Sequence, residues 1–217
     1  MLTQSAGRMT FVTNENKKDY YFVFLSLIRI FAPVMATYQE IEQVQAFSRV
    51  DGAVVALFWI ISFACFVGNF SNPLLGLLSF VIGAVSLVFA ALRLRQFRDN
   101  VLDGSITFLR AYGYSTMTYL YAALLFAAAQ FIYFQFIDHG YLMNQYSTIS
   151  QSKEFIEMMQ VYGIKPEDLK LGMDNIAALR PIEIALQFFT MNVMMGVFVS
   201  LPVAAIMMRR PRRIINH

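Results

Sequence analysis

From Gly52 to Leu92 the chain runs 41 residues without an Asp, Glu, Lys or Arg. A hydrocarbon layer about 30 Å thick is crossed by about 20 apolar residues of helix. A run twice that long is two spans back to back, and Asn69-Phe70-Ser71-Asn72-Pro73 in its middle is a turn signal. Two further charge-free runs follow, Ala111–Ile137 and Ile184–Met208. The chain is 58% hydrophobic with a mean hydropathy of +0.53, which excludes an ordinary water-soluble domain. The expected fold is all-α: a polytopic membrane protein with a four-helix transmembrane bundle, an N-terminal interfacial helix and a small helical periplasmic loop. The spans are placed near 52–69, 73–92, 111–137 and 182–208 within a membrane domain of 47–210.

Charge sets the expected orientation. The connection Arg93–Arg110 carries four arginines against Asp99 and Asp103, and the tail 211–217 follows Arg209 and Arg210 with two more arginines. The loop 138–181 and its flanks, Asp138 to Glu183, hold seven acids against four bases. By the positive-inside rule the arginine-rich ends face the cytoplasm and the acidic loop faces the periplasm. Both termini are then cytoplasmic. The net charge of +3 reflects this clustering at span ends and gives no reason to expect nucleic acid as a partner.

Residues 1–46 are harder to place. Residues 1–19 are polar and lack a signal-peptide pattern, so insertion is expected to use the spans themselves. Tyr20–Tyr38 is apolar apart from Arg29. It reads as an interfacial helix with Arg29 reaching the head groups, or alternatively as a fifth span around a central Arg. In the outer loop, Ser152 is a helix cap, Gly163 a stop, and Lys165-Pro166-Glu167-Asp168 a second helix start. Two short amphipathic helices are expected there, packed on the bundle.

Helices in lipid associate by close backbone approach, so stripes of small residues mark their contacts. Span two carries Gly76, Ser79, Gly83 and Ser86, and span four carries Gly196 and Ser200. Either set could face a second protomer, leaving a homo-oligomer open. Tyr112, Tyr114, Tyr119 and Tyr121 at the start of span three read as an interfacial aromatic belt, with a ligand groove as the sharper alternative.

Chemistry-bearing residues are few. Cys65 is the single cysteine, and no metal site, cofactor site or catalytic constellation is visible. No ionisable residue is expected inside the four spans. The candidate interior or ligand-contacting polar groups are Gln130, Gln187 and Asn192. A candidate cytoplasmic motif comprises Arg98, Asp99, Asp103 and Gly104, with Arg98 paired to one of the aspartates, Asp103-Gly104 forming a turn and Ser105 capping span three.

The order and spacing of several pieces resemble one family. They are Phe97-Arg98-Asp99-Asn100, Asp103-Gly104-Ser105-Ile106-Thr107-Phe108 and Ile132-Tyr133-Phe134-Gln135-Phe136-Ile137-Asp138. Pro181-Ile182-Glu183 with Gln187, Asn192 and Gly196, and Ser200-Leu201-Pro202 before Met208-Arg209-Arg210, continue the match. The stretch from Phe47 to Arg210 resembles the domain-of-unknown-function family numbered 4199, small membrane proteins of Bacteroidota. The resemblance implies four spans and an inner-membrane location but no activity. Members are often encoded near membrane glycosyltransferases, which makes such an enzyme a candidate partner in an envelope complex. The leading expectation is a non-catalytic accessory or scaffold subunit of an envelope complex, in contact with membrane lipid. The alternative is an oligomeric carrier or binding protein for a lipid or amphipathic small molecule.

Overall fold

The computed structural model describes residues 38–163 and 166–209. The readings of residues 20–38 and of the tail 211–217 lie outside the described residues, Tyr38 apart. The chain divides into two units, Met1–Val44 and Gln45–His217; the architecture below is that of the second. Seven helices occur among the described residues: α1 Tyr38–Gly68, α2 Pro73–Val101, α3 Phe108–Phe136, α4 Tyr141–Ser150, α5 Lys153–Val161, α6 Pro166–Ala177 and α7 Pro181–Met207. Four of them, α1, α2, α3 and α7, are long and apolar enough to cross a membrane.

The helices start where local chemistry dictates. Asn72 accepts from the Leu74 amide ahead of Pro73, which sits in the first turn of α2 where its missing N–H costs nothing. Ser152 accepts from the Phe155 amide to open α5, and Gly163 takes the left-handed conformation beyond its end. Arg180 and Glu183 close a reciprocal cap at the start of α7. Thr107, and not Ser105, caps α3, accepting from the Arg110 amide; the Ser105 hydroxyl is turned back to donate to the Leu102 carbonyl. The segment between α3 and α7 holds three helices where two were expected. The unforeseen one, α4, is opened by Asp138, whose carboxylate accepts from the Gly140 and Leu142 amides at 3.1 Å each. Helix α5 has no fully buried residue, and Phe155, Ile156 and Met159 are half-buried.

Helix α3 is the most enclosed of the four long helices. The Thr118 carbonyl and Tyr121 Cβ would lie 2.7 and 2.8 Å from a Cβ placed on Gly52 of α1. Tyr119 Cβ would lie 2.6 Å from one placed on Gly196 of α7. Both glycines are therefore there for close backbone approach. The core cluster between them comprises Val55, Ala56, Ala90, Tyr119 and Ala122, with Trp59, Phe89 and Val199 packed against it.

The small-residue stripe of α2 is used within the chain. Ser62 of α1 donates to the Ser79 carbonyl at 2.9 Å, Gly83 faces the Ser62 hydroxyl, and Trp59 donates to Ser86 at 3.0 Å. Gly76 leaves room for the Asn69 side chain. Ser200 donates back to the Gly196 carbonyl at 2.7 Å. None of these residues needs a second copy to explain its size. The aromatic reading changes likewise: Tyr114 and Tyr119 are buried between helices, Tyr114 against Asp51 and Phe97 and Tyr119 between Trp59 of α1 and Gly196 of α7.

Candidate functional site

One charge at the very edge of the expected first span, Asp51, is drawn into the bundle. Helix α1 starts well before the apolar run, so Asp51 lies within it, and its side chain is 2% exposed. Asp51 lies 17 residues before the end of α1 and Arg93 lies 20 residues after the start of α2. At 1.5 Å per residue that is roughly 26 and 30 Å from the shared turn, so an antiparallel hairpin brings the two to one level. Arg93 Nε donates to Asp51 Oδ1 at 2.5 Å. The second carboxylate oxygen accepts from the Tyr114 hydroxyl, which α3 delivers from the other side. Both oxygens of Asp51 thus have a donor, which is the condition for keeping a carboxylate away from water.

Arg93 is half-buried, with 36% of its side chain exposed, and its Nη1 donates to Gln96 Oε1 at 2.7 Å. Phe97 stacks on Tyr114 with ring centroids 4.7 Å apart and meets Phe47 at 5.3 Å. These groups surround a cleft of about 90 Å³ lined by Asp51, Arg93, Gln96, Asn100, Tyr114 and the two phenylalanines, with Val101 beside them. It is apolar on one wall and bears paired charge on the other. Ser48 and Thr118 both donate to the Tyr114 carbonyl, fixing the α1–α3 geometry beneath it.

The motif singled out from the sequence has a different role. Arg98 is buried and forms a bidentate pair with Asp99, with Nε and Nη2 donating at 2.7 and 3.0 Å. Its Nη1 donates to the Met207 carbonyl at the C-terminal end of α7, at 3.0 Å. A cation there meets the unsatisfied carbonyls of a helix end. Ile106 and Arg209 then exchange backbone hydrogen bonds of 2.9 and 3.0 Å. Asp103 and Gly104 form the turn between, both at positive φ, and Asp103 takes no part in the Arg98 pairing. This cluster is a clasp that holds the end of α7 to the α2–α3 connection.

The three candidate interior amides are not brought together. Gln130 is 2% exposed and its Oε1 has no hydrogen-bond partner. Gln187 lies on the exposed face of α7. Asn192 donates to the Phe188 carbonyl one turn back, at 2.8 Å. In this chain they build no common site, because α7 turns Gly196, Ser200 and Ala204, and not its amides, toward its neighbours.

The residues that do converge, Asp51, Arg93 and Tyr114, carried a signal in the sequence. Asp51 and Arg93 are the two charges that immediately bound the charge-free run, and a hairpin places the bounds of such a run side by side. No curated protein and no solved structure matches the chain. The family described as Protein of unknown function (DUF4199) matches residues 51–209, from the cleft aspartate to the residue that pairs with Ile106. With four helices apolar enough to span a bilayer and a match over most of its length, the chain is a multi-pass membrane protein that belongs to that family.

Proposed function

We propose that this protein is a membrane-embedded binding protein or carrier for a lipid or amphipathic small molecule. The observation that carries the reading is the cleft at the Asp51–Arg93 pair, with its aromatic wall of Phe47, Phe97 and Tyr114. It combines an oriented polar group with an apolar surface, as small-molecule sites commonly do. An ionisable pair within spanning helices is costly to place in a membrane, and in such proteins it usually marks a functional position. The cleft lies near the arginine-rich end of the bundle, so in a bacterial inner membrane it would open toward the cytoplasmic leaflet.

The test is extraction of the protein purified in mild detergent, with mass spectrometry of what it carries. Asn100 is exposed at the cleft, so Asn100→Trp fills the mouth without touching the core. The wild type is expected to carry one amphiphile at near-stoichiometric amount and Asn100→Trp to lose it. Identical lipid profiles from the two would refute the reading.

A second reading, an accessory or scaffold subunit of an envelope complex, is favoured by the outer segment. There Val161 is 84% and Tyr162 74% exposed at the end of α5. Exposed aromatic and aliphatic groups on a water-facing segment suit a protein partner. A stoichiometric protein in the same purification, lost in Val161→Ser/Tyr162→Ser, would put this reading first.

A further inference from the structure

The hydrogen bonds around Arg93 leave one set of donors unspent. Its Nε is committed to Asp51 and one Nη1 hydrogen to Gln96. A guanidinium has five N–H donors, and Nη2 has no partner among the described residues. Because Gln96 Oε1 is held by Arg93, the orientation of that amide is fixed and its NH2 group points away from the guanidinium. Asn100 follows one turn further along α2 and also lines the cleft. Arg93, Gln96 and Asn100 at i, i+3 and i+7 form a single row on the helix. The row presents a delocalised cation followed by two carboxamides.

We infer that this row receives an anionic phosphate group, and that the amphiphile bound in the cleft is a phosphate-bearing one. The inference rests on the binding reading above and names the chemistry of its polar head. The charge of Asp51 is offset by the guanidinium it binds, and the aspartate, held also by Tyr114, serves to aim that guanidinium. A planar guanidinium held through Nε leaves its outer edge free for a tetrahedral oxyanion. The cleft's charges sum to zero when empty, so an anion entering it meets no net repulsion. A cationic head group would find Asp51 saturated, and the stacked pair Phe97–Tyr114 offers no gap between rings for it.

The phosphate could arrive on a lipid or free in solution, and the experiment separates the two. Purified protein in an uncharged detergent is titrated with short-chain phosphatidylglycerol, short-chain phosphatidylcholine, a short-chain diacylglycerol and inorganic phosphate, with binding read by native mass spectrometry. Phosphatidylglycerol is expected to bind at least tenfold more tightly than diacylglycerol. Inorganic phosphate, lacking the apolar part, is expected to bind weakly at the same site and to compete. Gln96→Ala/Asn100→Ala leaves the Asp51–Arg93 pair intact and should weaken phosphatidylglycerol by about tenfold, the effect of losing hydrogen bonds to a charged group. Arg93→Gln/Asp51→Asn, which removes both charges together, should abolish the preference over diacylglycerol. Arg95→Gln removes an exposed charge from the same helix outside the cleft and should leave the affinity within twofold.

Equal loss in Arg95→Gln and in the cleft variants would mean unspecific attraction to a basic face, and would overturn the inference. Tight diacylglycerol binding at the cleft, indifferent to Gln96 and Asn100, would overturn it too while leaving the binding reading in place. Binding of inorganic phosphate as tight as that of phosphatidylglycerol would sustain the phosphate site and remove the lipid from it. No binding of any probe would overturn both.

Discussion

Replacing Asp51 by alanine tests whether the ion pair holds the bundle. Asp51 is 2% exposed, and its loss strands the Tyr114 hydroxyl, itself 1% exposed by residue. It also leaves Arg93 without its carboxylate. Breaking a buried pair by removing one partner costs about 3–5 kcal/mol. Arg93 keeps Gln96 and is a third solvated, which places the expected loss at the lower end, about 3 kcal/mol, or roughly 150-fold in the folding equilibrium. Asp51→Asn retains an acceptor oxygen for one of the two donors and should cost about half as much. In Asp51→Ala/Arg93→Met no charge is left uncompensated, and only the stranded tyrosine remains, at about 1–2 kcal/mol. The double variant should therefore be more stable than Asp51→Ala alone. Reversible unfolding in mixed detergent and SDS micelles reads all of these through Trp59. It is the chain's single tryptophan, and it packs against Tyr119 and Phe126. If Asp51→Ala lies within about 0.5 kcal/mol of wild type, or the double variant is the least stable, the pair is not worth what its burial implies.

Other positions give sharper contrasts. Gly52→Ala sets a methyl 2.7 Å from a backbone carbonyl and should cost about 1–3 kcal/mol, whereas Gly83→Ala meets only Ser62 Oγ at 3.8 Å and should be neutral or slightly stabilising; equal effects in the same unfolding assay would contradict the packing. Gln130→Leu removes a buried oxygen that has no partner and should be neutral or stabilising by up to about 1 kcal/mol, so a large loss of thermal stability would reveal a hydrogen bond to Gln130. Arg98→Gln opens the clasp at the end of α7, and hydrogen exchange at the amides of Met208 and Arg209 should accelerate at least tenfold, about the effect of losing a charge-assisted hydrogen bond. Unchanged protection there would show that the Ile106–Arg209 pairing holds without Arg98.

The spans and their hairpin are legible in the sequence because exclusion of charge over 20 residues is a local property with one cheap explanation in lipid. The Ser152 cap is legible for the same reason, since its hydroxyl acts on a backbone amide three residues away. The Arg98–Asp99 pair joins neighbours in sequence. The burial of Asp51 is not legible because the edge of an apolar run is not the edge of a helix: α1 begins at Tyr38, and polar residues of the run's flank still lie within it. Which face of α3 turns inward is a tertiary property, and this is why Tyr114 and Tyr119 read as a membrane-boundary belt although they are core. The amides of α7 could not be sorted either, since Gln187 and Gly196 are both on a helix whose rotation only the bundle sets. Ser105 and Thr107 are equally good capping residues, and the turn at Asp103-Gly104 decides between them.

The claim that the cleft holds an amphiphile is tested most directly by placing a photo-crosslinking amino acid at position 47. Phe47 is 40% exposed and lines the cleft, so the substitution leaves the ion pair untouched. After irradiation in native membranes, the adduct on the purified chain is identified by mass. The account predicts one dominant adduct of lipid size, diminished by Asn100→Trp. An adduct distributed over all membrane lipids in proportion to their abundance, or one formed only with protein, would contradict it.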